Sequence, residues 1–279
     1  MLRLRFVRLL LVLVPIYIAV IAFGNLADRL ILMPSTAPLN AGSATRTFIP
    51  FERGELEIWT AQSQLAQQSG RVDAFVLQFY GNADRADRWV ALEADAFDRR
   101  AVEIWGVNYP GYGRSTGPAR LRRIGPAGLA AFDALKVKAG DRPIIVFGAS
   151  IGTTAALHIL AQREVAGAIL HNPPAMRQMI LQQFGWWNLW LLAGPVAFQI
   201  PPELDSLANA KAAHAPAIFM LAEHDEVVAP RFQRLVVDAY AGEKRIIPLP
   251  GAGHNSPFDA AATAELHRAL EWLLPRRAD

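Results

Sequence analysis

The sequence predicts an α/β fold, one domain built on a mostly parallel sheet with helices on both faces. Three observations predict it. Short apolar runs recur from Ala74 to Pro250, and most are unbroken, as strands buried on both faces require. Stretches of helical apolar spacing lie between them, and strands alternating with helices give a parallel sheet covered on both sides. No internal repeat, low-complexity segment or Gly/Ser linker divides residues 35–279, so one domain is the simplest organisation.

The segment 1–34 stands apart. "MLRLRFVRLLLVLVPIYIAVIAFGN" places Arg3, Arg5 and Arg8 before an uncharged apolar run, Leu9 to Phe23, of 15 residues. That is short of the roughly 20 that span a bilayer, although counting from Phe6 with Arg8 snorkelling approaches that length. An uncleaved membrane anchor is the leading expectation. The alternatives are a signal peptide cleaved near Ala22-Phe23-Gly24, giving a secreted body, and a buried soluble helix. Leu26, Leu30, Ile31, Leu32 and Met33 resume the apolar pattern up to Pro34, as if the helix continued. Positive charge before the run, against the balanced Asp28 and Arg29 after it, predicts the N-terminus in the cytoplasm and the body outside. Four lysines amid many arginines and alanines hint at a GC-rich bacterial genome, and in a Gram-negative cell the body would be periplasmic.

In the body, "TRTFIPF" and "ELEIWTA" read as an opening antiparallel pair. The strands "AFVLQFY" (Ala74 to Tyr80), "AVEIWGVNY" (Ala101 to Tyr109), "PIIVFG" (Pro143 to Gly148), "VAGAILH" (Val165 to His171), "PAIFMLA" (Pro216 to Ala222) and "KRIIPLP" (Lys244 to Pro250) follow. Helical spacing appears at Trp89, Leu92, Ala96 and Phe97, at Leu129, Phe132 and Leu135, and at Ala156, Ile159 and Leu160. In open sheets of this kind sites form at the carboxyl ends of the strands, which directs attention to the loops after Tyr80, Gly148, Ala222 and Pro250.

Composition narrows the function classes. A hydrophobic fraction of 52% supplies a core and argues against disorder. The formal charge of +3 equals the contribution of Arg3, Arg5 and Arg8, leaving 3 − 3 = 0 for the rest. The short clusters Arg120, Arg122, Arg123 and Arg276, Arg277 therefore read as solvated faces, and no nucleic-acid partner is expected. With no cysteine there is no disulfide framework, thiolate nucleophile or Cys-based metal site. Neither HExxH nor paired ligand spacing occurs, so no metal is expected.

A GxSxG match such as "GASIG" arises by chance in roughly one chain in ten of this length. Context gives Ser150 its meaning. It lies directly after an apolar strand and directly before a helical pattern, the setting of a nucleophile elbow, where Gly148 and Gly152 keep side chains out of a sharp turn. A serine hydroxyl needs an imidazole to take its proton and a carboxylate to orient that imidazole. "EHDEVVAP" after one strand offers Glu223, Asp225 and Glu226, and "GAGHNSPF" after the next offers His254. The order Ser150, Asp225, His254 is the order this architecture uses. His158, His214 and His267 read as structural, and His171 and His224 as weaker candidates.

From about residue 75 to the C-terminus the chain resembles the α/β-hydrolase superfamily. The closest resemblance is to its membrane-anchored serine-hydrolase subgroup, which carries an HGNA signature, then GYGxS, then GxSxG. The corresponding stretches are "FYGNADR" (Phe79 to Arg85) and "NYPGYGRSTG" (Asn108 to Gly117). The resemblance implies an α/β-hydrolase fold and no cofactor. It implies an oxyanion hole made by the backbone N–H groups of Asn82 and Ile151, and Asp225 as the acid through the pattern Asp225, Val228, Pro230. One position departs: Tyr80 stands where the subgroup has histidine, and is a candidate for substrate selection or loop support.

Between His171 and Pro216 this fold commonly inserts a cap, here about residues 172–213. It contains "QQFGWWNLWLLAGPVAF". Trp186, Trp187 and Trp190 read as packed cap, as an acyl-binding lid or as a membrane-contacting face. The expectation is a serine hydrolase acting on an ester or thioester, with a lipophilic acyl group near a membrane. The alternatives are a serine peptidase, because the same three residues cleave amides, and a non-catalytic hydrolase-like membrane protein that binds a lipid or partner.

Overall fold

Residues buried on both sides of a strand must find apolar layers on both faces of the sheet, and the computed structural model provides them. It describes the backbone of residues 2–97 and 99–274, and the side chains of these except 2–4, 6, 7 and 21–23. Arg3, the Ala22-Phe23 cleavage candidate and the Arg276, Arg277 cluster therefore fall, in side chain or entirely, outside the described residues. Eight strands form one sheet: β1 (Thr45–Phe51), β2 (Gly54–Gln62), β3 (Ala74–Phe79), β4 (Val102–Val107), β5 (Ile144–Ala149), β6 (Gly167–His171), β7 (Ala217–Ala222) and β8 (Lys244–Leu249). Their order is β1-β2-β4-β3-β5-β6-β7-β8. β1 and β2 are antiparallel, β2 meets β4 antiparallel, and β4 through β8 run parallel.

The two-residue period of the strands divides the core. Phe75, Leu77 and Phe79 of β3, Trp105 and Val107 of β4, and Ile144 and Val146 of β5 join one apolar layer. Val76, Ile104, Ile145 and Phe147 join the other. Helices α5 (Leu121–Ala139), α6 (Gly152–Gln162) and α10 (Pro230–Ala239) cover the first face. Helices α4 (Ala86–Ala96) and α11 (Ala260–Leu273) cover the second. Each fully buried Phe or Leu contributes about 1.5–3 kcal/mol, which fixes the register, since a one-residue slip would exchange the two faces.

The remaining helices are α1 (Leu2–Phe23), α2 (Leu26–Ile31), α3 (Gln64–Ser69), α7 (Met176–Phe184), α8 (Ala193–Phe198) and α9 (Ser206–Ala212). The insertion between β6 and β7 holds α7, a 3-10 turn at Trp186–Asn188, α8 and α9. Of these, α9 packs on α6 and α10 and belongs to the helical layer, while α7 and α8 pack on each other and form the cap proper.

Three expectations are corrected. The buried face of α4 is Ala86, Val90 and Ala94, continued by Phe97, whereas Trp89, Leu92 and Ala96 are exposed. Small residues let α4 approach the sheet closely, and helical spacing alone does not tell which apolar stripe turns inward. The apolar N-terminal pattern does not continue as one helix. The chain breaks at Gly24 and at Asn25, whose φ of 45° lies in the left-handed region, and restarts as α2. Among the described residues no helix is long and apolar enough to cross a membrane, so the expected membrane-spanning segment is not met there. What α1 does present is an apolar surface exposed on every side from Leu9 to Val20.

Candidate active site

Parallel pairing brings the carboxyl ends of the strands to one edge. Phe79 stands opposite Gly148, Ala149 opposite His171, His171 opposite Met220, and Ala222 opposite Leu249. The loops that leave these ends carry the candidate residues.

Ser150 occupies the turn between β5 and α6 with φ 52°, a left-handed conformation that costs a non-glycine residue of order 1–3 kcal/mol. Its N–H donates to the His171 carbonyl at 2.8 Å, tying the turn to β6. The flanking glycines are steric necessities. A Cβ at Gly152 would lie 2.3 Å from the Phe79 carbonyl oxygen and 2.8 Å from that of Tyr80, and one at Gly148 would lie 2.6 Å from the Gly152 oxygen. The turn thus sits directly against the end of β3, bringing the Gly81–Asn82 loop beside it; a Cβ at Gly81 would be 3.8 Å from the Ser150 Cβ.

His254, after β8, places Nε2 at 3.1 Å from the Ser150 Oγ and Nδ1 at 2.8 Å from Asp225 Oδ2. A carboxylate only accepts, so the Nδ1–H donates to Asp225, which leaves the Nε2 lone pair facing the serine hydroxyl. Asp225 is fully enclosed: Oδ1 accepts from the Val227 and Val228 N–H groups at 2.9 and 2.7 Å, and Oδ2 also accepts from Gln233 Nε2 at 2.9 Å. With His254 Nδ1, four donors fix the orientation of this side chain. The neighbouring carboxylates are used elsewhere, Glu223 accepting from the Gly251 N–H and Glu226 from the His254 N–H.

Three residues the sequence did not single out complete the setting. Gln233, on α10, also donates to the Val228 carbonyl at 2.8 Å and so locks the loop that carries the acid. Asn172, with φ 50°, accepts the Ala222 N–H at 2.9 Å through its side chain and donates to the His254 carbonyl at 3.4 Å, joining three strand ends. Tyr112 lies in the "PGYG" stretch and donates its hydroxyl to Asn82 Oδ1 at 3.0 Å. The GYGxS match marked the stretch that holds Tyr112 without giving the residue a role, whereas only polarity at a buried position could have marked Gln233 and Asn172, and burial is set by distant chain. His171, packed edge-on against Phe258 at 5.0 Å, is pushed down to about 4 by burial and then by the neighbouring His254. At neutral pH it is an uncharged wall of the site.

Tyr80, the departure from the subgroup's histidine, faces helix α4. It is buried and donates its hydroxyl to Glu93 Oε2 on α4 at 2.7 Å, while Gln78 Nε2 donates to the other Glu93 oxygen at 2.9 Å. Burial raises Glu93 from an ordinary 4.5 to about 7. The side chain leaves β3 on the helix-α4 face and turns to Glu93, away from Ser150. Trp186, Trp187 and Trp190 are each more than half exposed, and Trp190 spends its indole N–H on the Leu181 carbonyl at 3.0 Å. Among the other histidines, His158 is buried in α6 and His267 in α11 lies 3.0 Å from the Ala96 carbonyl. Among the described residues no cluster of three or more His, Asp or Glu side chains is arranged to hold a metal.

This arrangement can deprotonate a hydroxyl and direct it at an electrophile next to two loop amides. Comparison with known proteins agrees with the architecture. An uncharacterised protein of Mycobacterium tuberculosis is 26% identical over 239 residues, covering 82% of this chain and 80% of that protein. An esterase of Pyrococcus furiosus superposes with a TM-score of 0.59 at 16% identity, covering 87% of this chain and 97% of the esterase. An acylaminoacyl peptidase of Pyrococcus horikoshii gives 0.58 at 14% identity, covering 83% of this chain and 40% of the peptidase. The sequence pattern of the alpha/beta hydrolase fold matches residues 75–256, and the chain belongs to that family.

Proposed function

We propose that the protein is a serine hydrolase that cleaves a carboxylic ester or thioester through an acyl-enzyme on Ser150. The observation that carries this reading is the continuous relay Asp225–His254–Ser150, with contacts of 2.8 and 3.1 Å. Ser150 Oγ attacks the substrate carbonyl carbon as its proton passes to His254 Nε2, and Asp225 stabilises the imidazolium. The carbonyl oxygen becomes an oxyanion held by the N–H groups of Asn82 and Ile151. Collapse expels the alkoxide or thiolate, which takes the proton from His254. Water then attacks the acyl-enzyme, His254 accepting its proton and returning it to Ser150 Oγ, and the carboxylic acid leaves.

A lipophilic acyl group near a bilayer is the substrate setting we favour. Supporting it are the apolar surface of α1 and the exposed Trp186, Trp187, Leu189, Leu191 and Phe198 of the cap, with aromatic residues suited to the membrane interface. The Tyr17 hydroxyl donates to the Leu191 carbonyl at 2.5 Å, joining helix and cap. For the body we favour the extracytoplasmic side, because Arg3, Arg5 and Arg8 stand before the apolar run Leu9 to Phe23.

Turnover of p-nitrophenyl esters across acyl lengths, with and without vesicles, tests the reading. Activity rising with chain length and lost in Ser150→Ala and His254→Ala supports it. Hydrolysis of acylated peptides with no ester turnover would favour a peptidase, and no turnover of any acyl substrate by folded protein would refute the enzyme. Cell fractionation with protease protection of the body tests the location.

A further inference from the structure

The chain on the N-terminal side of β1 is bonded into the loop that carries Asn82. The Met33 N–H donates to Asn82 Oδ1 at 3.0 Å, Asn82 Nδ2 donates to the Ile31 carbonyl, and the Tyr112 hydroxyl shares Asn82 Oδ1 at 3.0 Å. Both ends of this amide are occupied. Three residues further on, the buried Arg85 donates to the Ser35 carbonyl at 2.9 Å and the Ala37 carbonyl at 2.6 Å, while Asp87 pairs with the same guanidinium at 2.6 Å. The Gly113 N–H also donates to the Ser35 carbonyl at 2.9 Å. At its other end the segment is fixed by Asp28, which accepts from Arg120 at 3.0 Å and from the Leu121 N–H at 2.7 Å. The Ala27 N–H donates to Gln199, just beyond α8 of the cap, at 3.0 Å.

We infer that residues 26–37 are a strap that positions the oxyanion loop, with Asn82 and Arg85 as the side chains through which it acts. The inference rests on the reading of the Asn82 backbone N–H as an oxyanion donor. Carbonyl and amide groups of a segment with its side chains largely outward hold the loop at both Asn82 and Arg85, and Met33 itself is exposed. If that segment lifted, the Arg85 guanidinium would keep Asp87 and lose both carbonyl acceptors, which costs the net worth of two hydrogen bonds from a charged donor. Because an oxyanion donor acts only at the correct distance, a shift of the loop by about 1 Å lowers turnover without removing any reacting group. The strap also continues into α1 and touches the cap, so whatever α1 docks against is mechanically connected to the oxyanion loop.

The test uses the full chain in mild detergent with a short p-nitrophenyl ester. Met33→Pro deletes one N–H; the preceding Leu32 has φ −82° and ψ 136°, a conformation compatible with a following proline. Tyr112→Phe and Asn82→Ala remove the other partners. The expected result is about a tenfold loss of kcat in each with KM within about twofold. The Met33 N–H also reaches the Tyr112 hydroxyl oxygen at 3.2 Å, so Met33→Pro should add nothing in an Asn82→Ala/Tyr112→Phe background, where both of its acceptors are gone. Equal losses in both backgrounds, or unchanged kcat in all three, overturn the inference.

Amide hydrogen exchange provides a readout independent of turnover. Protection of peptides covering 26–37 and 81–87 is expected in the wild type, falling together by tenfold or more in Asn82→Ala. Free exchange of 26–37 in the wild type overturns the strap whether or not the protein hydrolyses esters. Absence of ester turnover with that joint protection intact would instead refute the catalytic reading and leave the strap standing.

Discussion

Replacing Asp225 by asparagine isolates the orienting carboxylate with almost no change in volume. Asp225 accepts four hydrogen bonds, two on each oxygen, at 2.7–2.9 Å. An asparagine has one acceptor oxygen and one donor group, so either orientation directs an NH2 at donors. Facing Oδ2's partners, the NH2 confronts the Gln233 amide and the His254 Nδ1–H; facing Oδ1's partners, it confronts two backbone N–H groups. The first arrangement is relieved if His254 moves its proton to Nε2, and that tautomer cannot accept the serine proton. Loss of the correct tautomer costs about 10⁴ in kcat, with KM changed by less than about threefold. Loss of charge-assisted bonds to a buried carboxylate costs about 2–3 kcal/mol of stability. Steady-state ester kinetics and thermal unfolding measure both. Retention of more than a tenth of wild-type kcat in a folded Asp225→Asn protein would refute the reasoning and transfer the role to Glu226, for which Glu226→Gln is expected to stay within threefold of the wild type.

Further outcomes follow from single contacts. Gly152→Ala puts a methyl 2.3 Å from the Phe79 carbonyl oxygen. Because backbone must shift, about 3 kcal/mol is lost, read as a drop of roughly 10 °C in Tm together with reduced ester turnover. Glu93, raised from 4.5 to about 7, binds its proton more tightly folded than unfolded. Its contribution to stability is therefore fully present below pH 4.5 and falls away as pH rises to 7, by about 3 kcal/mol. Glu93→Gln should flatten that slope in urea titrations, and an unchanged slope would count against the buried Tyr80–Glu93 arrangement. His171 acts in the opposite sense: lowered from 6.5 to about 4, it resists protonation when folded. Stability is lost as pH falls from 6.5 to 4, and His171→Gln should remove that loss.

The parts of the fold visible in sequence were those with a local signal. Apolar runs located the parallel strands, and Ser150, Asp225 and His254 each follow a strand directly, so chain order alone placed them at one edge of the sheet. What local pattern could not supply is direction. Tyr80 follows the same strand as Asn82, yet its side chain turns under the loop to Glu93 while the next residues turn toward Ser150. On α4 two apolar stripes compete, and the small one is buried because it lets the helix approach β2 and β4. Gln233 is eight residues from Asp225 and meets it only because α10 folds back, and the strap 26–37 reaches Asn82 from some fifty residues away. Neither has a periodicity. The N-terminal segment was read from composition, which registered its apolarity and missed both the break at Asn25 and its bonds to the active-site loop.

The central claim is that Ser150 is the residue the relay activates. Treating the full-length protein with a fluorophosphonate and mapping the adduct by peptide mass spectrometry tests it most directly. The account predicts one phosphonylated residue, Ser150, with labelling abolished in Ser150→Ala and strongly slowed in His254→Ala. Folded wild-type protein that stays unlabelled, or that is labelled at another residue with Ser150 intact, would contradict it.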